Sequence, residues 1–292
     1  MHNDAIEKSL KIAIVLTALF FCVEVIGGLI SGSLSLLGDA GHMLRDVFGL
    51  ITTLSAINIA KKIPTKTKTF GYHRLEIFAA FFNGLLLFIM SGWIFWESYF
   101  RLLSSKPIES TMMFVIALIG LLINLYVVSR LHGSHDVNIR SAFTHVLTDT
   151  LSSVAVIFAS IWIFFTNQTS VDPILGIAIG VFILCSAFMI VKDSVCILLD
   201  FTPKEVHFDD VIKDIESVRG VNGVHDVHLW SLCSHINVID AHIYTAESDM
   251  RKIELMKEKI KQKLKKYNIK HTTLEFECEE CVRDDKVSEV RH

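Results

Sequence analysis

Two pairs of side chains that can bind a metal ion recur with the same spacing in this chain. Asp46 follows His42 by four residues, and Asp149 follows His145 by four residues. Residues four apart lie on one face of a helix, one turn above the other. Each pair therefore presents an imidazole and a carboxylate in the same direction, and two such helices would form a cage of two nitrogens and two oxygens. Zinc accepts these ligands in tetrahedral geometry.

A histidine and an aspartate can also form a hydrogen bond that merely joins two helices. The identical pair in two separate segments favours metal binding over this structural interpretation. Neither motif contains a thiolate, so the predicted site is weak enough to release its ion. Arg45 lies on a different face and is interpreted as a helix-end or carboxylate-pairing residue. Glu24 and Asp39 are candidates for hydrogen-bond acceptors or proton carriers, or for polar residues beside an aqueous cavity.

Both pairs lie in apolar segments that are long enough to cross a bilayer. The chain has 292 residues, of which 51% are hydrophobic, and its mean hydropathy is +0.47. A membrane-spanning helix needs about 20 mainly apolar residues, and six segments qualify: 11–30, 34–60, 76–100, 111–131, 141–166 and 172–199. We therefore predict an all-α bundle of six transmembrane helices in residues 1–201, without a cleavable signal peptide. Ionisable residues inside such helices mark functional sites.

The basic residues of the short loops predict the orientation in the membrane. One side carries Lys8, Lys11, Lys61, Lys62, Lys66, Lys68, Arg74, Arg130 and Arg140, and the other carries Arg101 and Lys106. The positive-inside rule then places both termini in the cytoplasm. The compact loops and short termini favour a bacterial plasma membrane.

From residue 202 to residue 292 the chain reads as a small soluble α+β domain with a C-terminal tail. The predicted elements are a helix over 205–218, strands over 224–231 and 237–244, a helix over 247–267 and a strand over 272–278. This order, α-β-β-α-β, predicts an open sheet with helices on one face. The six cysteines are dispersed, which does not suit a secreted disulfide framework. No basic stripe indicates a nucleic-acid partner.

Four motifs make the chain resemble the cation diffusion facilitator family, in its zinc (zinc/cobalt/cadmium) exporter branch. They are SLLGDAGHMLRD at residues 35–46, FGYHRLE at 70–76, HVLTD at 145–149 and HDVHLW at 225–230. The resemblance covers nearly the whole chain. It implies six transmembrane helices, a ferredoxin-like cytoplasmic domain and a homodimer. It also implies Zn²⁺ efflux in exchange for protons.

The resemblance also implies which residues bind metal. The transport site falls on His42, Asp46, His145 and Asp149. His73 matches a loop histidine that binds zinc near the membrane interface in some relatives. The cytoplasmic positions are His225, His242 and Glu277, with a CxxC pair at Cys278 and Cys281. A second cytoplasmic ion is not expected, because Leu255 stands where some relatives have a further ligand.

Three alternative functions would use residues of the same types. An intramembrane zinc protease needs a general base beside the metal, as in H-E-x-x-H, and that motif does not occur, so no enzyme is predicted. A zinc sensor that binds without transport would use the same ligands. The same site could also carry Cd²⁺, Co²⁺, Ni²⁺ or Fe²⁺ in place of Zn²⁺.

Overall fold

The computed structural model of the chain describes residues 2–60, 65–131, 137–278 and 286, with side chains at 14–49, 51, 54, 65–125, 149–278 and 286. Two compact units form. The helical unit comprises Met1–Lys61 and Ala79–Val191, and the sheet unit comprises Lys62–Phe78 and Lys192–His292.

Helices cover all six of the segments that were predicted to span the membrane. They are α1 (His2–Ser31), α2 (Leu34–Ala60), α3 (His73–Leu103), α4 (Ser110–Leu131), α5 (Val137–Thr166) and α6 (Val171–Leu198). A helix satisfies every backbone N–H and C=O within its own segment, as lipid requires. Among the described residues, four stretches are long and apolar enough to cross a membrane: Ile14–Ser31, α3, Asp149–Thr166 and α6. The chain therefore has a helical membrane domain.

The helices of this unit pack closely at glycine positions, where no side chain separates the backbones. A Cβ atom on Gly28 would lie 2.7 Å from Leu37 Cγ, and one on Gly38 would lie 3.0 Å from Ile179 Cγ2. These contacts bring α1 against α2, and α2 against α6. In lipid, such van der Waals contact between close backbones holds helices together. Two clusters of buried apolar side chains fill the remaining space, one from α2, α4 and α5 and one from α3 and α6.

The outward faces of these helices remain apolar. Large side chains such as Leu16, Leu29, Ile89, Phe158 and Phe165 are each more than half exposed. Contiguous apolar surface of this kind is unfavourable in water, so it indicates that lipid surrounds the helical unit.

The sheet unit contains the predicted α-β-β-α-β order. Its elements are α7 (Phe208–Glu216), β1 (Gly223–Cys233), β2 (Ile236–Tyr244), α8 (Met250–Leu264) and β3 (Ile269–Glu277). β2 lies in the centre, antiparallel to β1 and parallel to β3. Since parallel neighbours cannot be joined by a tight turn, α8 provides the crossover.

Both helices of this domain pack on one face of the sheet. Alternate residues of β2, such as Ile239 and Ile243, are fully buried with Ile215 of α7 and Ile260 of α8. Because successive strand residues point to opposite faces, the intervening residues of β2 point away from this core. That second face carries the polar residues described below.

The predicted helices of this domain were too long, because each prediction began three residues before the observed start of α7 or α8. Asp249 ends the extended segment and caps α8, because its carboxylate accepts the backbone N–H of Arg251 at 2.9 Å. At the other end, α8 gives way to a single 3₁₀ turn over Lys265–Tyr267, and Asn268 leaves it with a left-handed φ of 55°.

Candidate metal centres

Three of the four residues predicted for the membrane site converge in the helical unit. His42 and Asp46 project from α2, and Asp149 projects from α5. His42 Nε2 lies 2.9 Å from Asp149 Oδ1. One ligand atom from each of the three residues lies within 4.8 Å of the other two. His42 is buried, with 5% of its surface exposed, whereas Asp46 and Asp149 are half-buried, so the group is partly shielded from bulk water.

His145, the fourth predicted residue, precedes Asp149 by one turn of α5. Its side chain lies outside the described part of the structure. The helical spacing places the two residues on the same face of α5.

Buried polar residues surround this centre. Asp39 is 5% exposed and accepts the hydroxyl of Ser152 at 2.6 Å. Glu24 of α1 is 1% exposed, and among the described residues no hydrogen bond reaches its Oε2 atom. The Phe182 ring meets the His42 imidazole edge-on at 5.5 Å. Buried carboxylates at this density are costly in lipid and are typical of an ion or proton pathway.

Arg45 donates a hydrogen bond to the hydroxyl of Ser186 on α6 at 2.8 Å. It is therefore directed to a neighbouring helix, a contact that the sequence did not predict.

Sequence analysis missed the residue that holds the start of α2. Asp172, in the first turn of α6, is fully buried. Its carboxylate accepts the backbone N–H of Leu34 at 2.7 Å and of Ser35 at 3.1 Å. It also accepts the hydroxyls of Ser33 and Ser35, each at 2.6 Å. A negative charge at a helix N-terminus is stabilising, so Asp172 caps α2 from another helix and thereby positions His42 and Asp46.

A second cluster lies on the open face of the sheet, where His225, His242 and Glu277 meet. His225 pairs directly with His242 across β1 and β2. Glu277 Oε1 lies 2.7 Å from His242 Nδ1, and Glu277 Oε2 lies 3.1 Å from His225 Nε2. One ligand atom from each residue lies within 4.8 Å of the others. The arrangement can bind a metal ion through two nitrogens and one carboxylate.

A β-bulge brings a further carboxylate to this cluster. Between His225 and His228 the register of β1 shifts against β2, and Asp226 adopts a left-handed φ of 49°. Its Oδ2 atom consequently lies 3.7 Å from His242 Nε2. An extra residue that re-aims a side chain is the usual effect of a bulge, and no simple alternation of residue types reveals it.

The charges around His242 alter its proton affinity. Burial alone would lower the pKa of His242, but the hydrogen bond that this imidazole donates to Glu277 and the charges of Glu277, Glu275 and Asp226 outweigh burial and raise that pKa above its ordinary value of 6.5. The surrounding carboxylates therefore strengthen proton binding to His242, and a metal ion that binds this imidazole competes with that proton.

The predicted CxxC pair is only partly described. Cys278 is exposed and directly follows β3. Within the described residues it does not belong to the His225–His242–Glu277 cluster. Cys281 lies outside the described residues.

A third cluster includes His73, the predicted loop histidine, which is the first residue of α3. It meets Cys233 and His235, which sequence analysis had not assigned to any site, and one ligand atom of each lies within 4.8 Å of the others. Burial raises the pKa of the Cys233 thiol. A lone cysteine and a lone histidine in a strand turn give no recognisable motif, so only the tertiary contact reveals this group.

Comparison with known proteins agrees with a membrane protein that handles cations. The family model of the cation efflux transmembrane domain matches residues 10–199, and that of the cation efflux protein cytoplasmic domain matches residues 203–279. The chain therefore belongs to the cation efflux family.

Several cation transport proteins are similar to this chain over almost their whole length. The metal cation efflux system protein CzcD of Cupriavidus metallidurans is 40% identical over 97% of this chain and 90% of its own length. The cadmium, cobalt and zinc/H(+)-K(+) antiporter of Bacillus subtilis is 35% identical over 98% of this chain and 94% of its own. The zinc transporter ZitB of Escherichia coli K12 is 37% identical over 96% and 90%.

Proposed function

We propose that this protein exports a divalent metal cation, Zn²⁺ first of all, in exchange for protons by alternating access. The observation that carries the proposal is the convergence of His42, Asp46 and Asp149 inside the helical membrane unit, with His42 Nε2 only 2.9 Å from Asp149 Oδ1. The names of the similar proteins, which refer to zinc, cadmium, cobalt and antiport, support it.

The transport site consists of His42, Asp46, His145 and Asp149. His145 stands one helical turn from Asp149 and would supply the second nitrogen of a tetrahedral N₂O₂ set. Two carboxylates balance the charge of a divalent ion, which lowers the cost of holding that ion within the membrane.

Proton coupling follows from the contact between His42 and Asp149. In the absence of metal, His42 Nε2 and Asp149 Oδ1 lie 2.9 Å apart, so one proton can bridge them. A metal ion needs the Nε2 lone pair, so that proton has to leave or move before the ion binds. On the side with the higher proton activity, protonation of the same imidazole releases the ion. Histidine suits this exchange because its unperturbed pKa of about 6.5 lies near working pH.

The proposed topology has six transmembrane helices in residues 1–201, formed by α1 to α6. Both termini lie in the cytoplasm of a bacterial cell, because the basic loops lie on their side of the plasma membrane. Residues 202–292 form the cytoplasmic ferredoxin-like domain with its tail, and two copies of the chain assemble as a homodimer.

The cytoplasmic cluster has a regulatory role in this proposal. His225, His242 and Glu277 bind metal when the cytoplasmic concentration is high. Cys278 and Cys281, which follow Glu277 in the sequence, are further candidate donors. Metal bound across β1, β2 and β3 would rigidify the sheet and so favour the dimer. The ion is Zn²⁺, and Cd²⁺ or Co²⁺ can use the same nitrogen and oxygen ligands.

The decisive experiment is Zn²⁺ uptake into inside-out proteoliposomes with an imposed pH gradient. The wild-type protein should take up Zn²⁺ only when the gradient is present, and Asp149→Ala should reduce uptake to that of protein-free vesicles. Asp209→Ala, which removes an exposed aspartate of α7, serves as the matched control and should transport normally.

A metal sensor would give a different result. Wild-type protein that binds Zn²⁺ at the membrane site but shows no uptake driven by the gradient would refute the transport proposal for zinc. Repeating the assay with Cd²⁺ and Co²⁺ then separates a wrong ion from a protein that binds metal without moving it.

A further inference from the structure

The turn between β1 and β2 brings together a thiol and an imidazole. Cys233 is the last residue of β1 and pairs with Ile236, so only Ser234 and His235 form the turn. Cys233 is 1% exposed, whereas His235 is exposed. The Cys233 sulfur lies 3.7 Å from Nδ1 and 3.8 Å from Nε2 of His235.

A distant part of the chain contributes a second imidazole. The rings of His73 and His235 meet at 6.4 Å between centroids with an interplanar angle of 80°. One ligand atom each from His73, Cys233 and His235 lies within 4.8 Å of the other two. All three residues belong to the sheet unit, although 160 residues separate His73 from Cys233 in sequence.

Neighbouring contacts fix the two segments against each other. The Ser234 hydroxyl donates to Glu76 Oε1 at 2.8 Å, one helical turn after His73. Phe70 meets the His271 ring edge-on at 5.4 Å between centroids. The three potential ligands are therefore held in place by contacts on either side of them, as a preorganised site requires.

The spacing of the donor atoms suits a tetrahedral metal ion. Zinc binds imidazole nitrogen at about 2.05 Å and thiolate sulfur at about 2.3 Å, which puts the two donors about 3.6 Å apart in tetrahedral geometry. The Cys233 sulfur stands 3.7 Å from His235 Nδ1. A buried cysteine is more often a small apolar residue with a weak S–H donor, but such a residue does not explain why a second histidine converges on the same sulfur.

We infer that Cys233 and His235 join His73, the loop histidine already predicted to bind metal, in one site that binds Zn²⁺, Cd²⁺ or Co²⁺ through one thiolate and two imidazoles. This site goes beyond the transport function, because it lies in the sheet unit. Three protein ligands leave the fourth tetrahedral position to a water molecule, unlike the closed four-ligand sites of structural zinc. The bound ion fastens the segment that begins α3 to the β1–β2 turn.

The thiolate distinguishes this site from the other two clusters, which offer only nitrogen and oxygen among their described residues. Co²⁺ is the probe, since its thiolate complexes absorb in the near ultraviolet by charge transfer from sulfur. The full-length protein in nanodiscs would carry Cys278→Ser and Cys281→Ser, so that the CxxC pair cannot contribute. Adding Co²⁺ to this protein should produce the charge-transfer band with about one equivalent of sulfur-ligated ion.

Single substitutions then assign the band. Cys233→Ser should abolish it, and His235→Ala, at an exposed position, should weaken Co²⁺ binding at this site by at least tenfold. Cys196→Ser and His207→Ala, the latter at an exposed position outside the site, are the matched controls and should leave the band unchanged. A band that survives Cys233→Ser in folded protein, or no band at saturating Co²⁺, would overturn the inference.

Hydrogen exchange tests the fastening of the two segments. Zn²⁺ should slow exchange in residues 65–78 and in the β1–β2 turn of the wild-type protein, and His235→Ala should remove this protection. Protection of the same size in the variant would contradict the inferred link. Because neither readout depends on transport, this result is independent of the outcome for Asp149→Ala.

Discussion

Replacing Asp172 by alanine tests whether the cap from α6 positions the helix that carries the transport ligands. The carboxylate accepts two backbone N–H groups at the start of α2 and two serine hydroxyls, at distances of 2.6 to 3.1 Å. Asp172 is fully buried, so water does not reach these donors in the native protein. The variant leaves all four donors without this acceptor.

The expected loss of stability can be worked out from these donors. A buried donor without a partner costs about 1–3 kcal/mol, so the N–H groups of Leu34 and Ser35 together cost about 2–6 kcal/mol. The hydroxyls of Ser33 and Ser35 lie 3.1 Å apart and can form a hydrogen bond with each other, so they add less to the loss of stability than the two N–H groups. We expect Asp172→Ala to destabilise the protein by about 3–4 kcal/mol. Asp172→Asn retains one acceptor oxygen and should cost about 1–2 kcal/mol.

The assay is reversible unfolding of the helical unit in mixed micelles, with Zn²⁺ uptake measured on the same preparations. Loss of the cap should also weaken apparent Zn²⁺ affinity, because α2 carries His42 and Asp46 into contact with Asp149. Asp209→Ala again serves as the control. If Asp172→Ala unfolded at the wild-type denaturant concentration, the start of α2 would not depend on this carboxylate and the reasoning would be wrong.

Two further predictions concern pH and helix packing. Because the pKa of His242 is raised above 6.5 in the folded domain, its contribution to stability is present below about pH 6.5 and is lost as pH rises through the folded pKa. The free energy of unfolding, measured with denaturant in the presence of a chelator, should therefore be larger at about pH 6 than at about pH 8.5. His242→Gln should remove the part of this pH dependence that His242 causes. The same pH dependence in the variant and in the wild-type protein would contradict the prediction. Gly38→Ala should destabilise the protein more than Gly41→Ala. The new Cβ would lie 3.0 Å from Ile179 Cγ2 in the first variant and 2.8 Å from Met90 Cε in the second. The first contact is the costlier one, because a β-branched side chain moves aside less easily than the flexible end of a methionine. Melting temperatures in nanodiscs rank the two, and equal or reversed values would refute the argument.

Local patterns carried much of the information about this protein. The spacing of His42 and Asp46 determines that they share a face of α2, because the helical period alone decides it. Apolar runs located the helices α1 to α6, and the alternation of residue types located the three strands of the sheet. The ends of α7 and α8 were less predictable, because caps such as Asp249 depend on single hydrogen bonds.

The tertiary structure alone decided which residues from distant segments meet. Asp172 caps a helix that begins 138 residues earlier, and the bulge at Asp226 turns a carboxylate toward His242. His73 meets Cys233 and His235 only because the start of α3 packs beside the β1–β2 turn. Helical and strand periods act over a few residues, whereas these contacts depend on how whole elements pack, and no local pattern in the sequence encodes that.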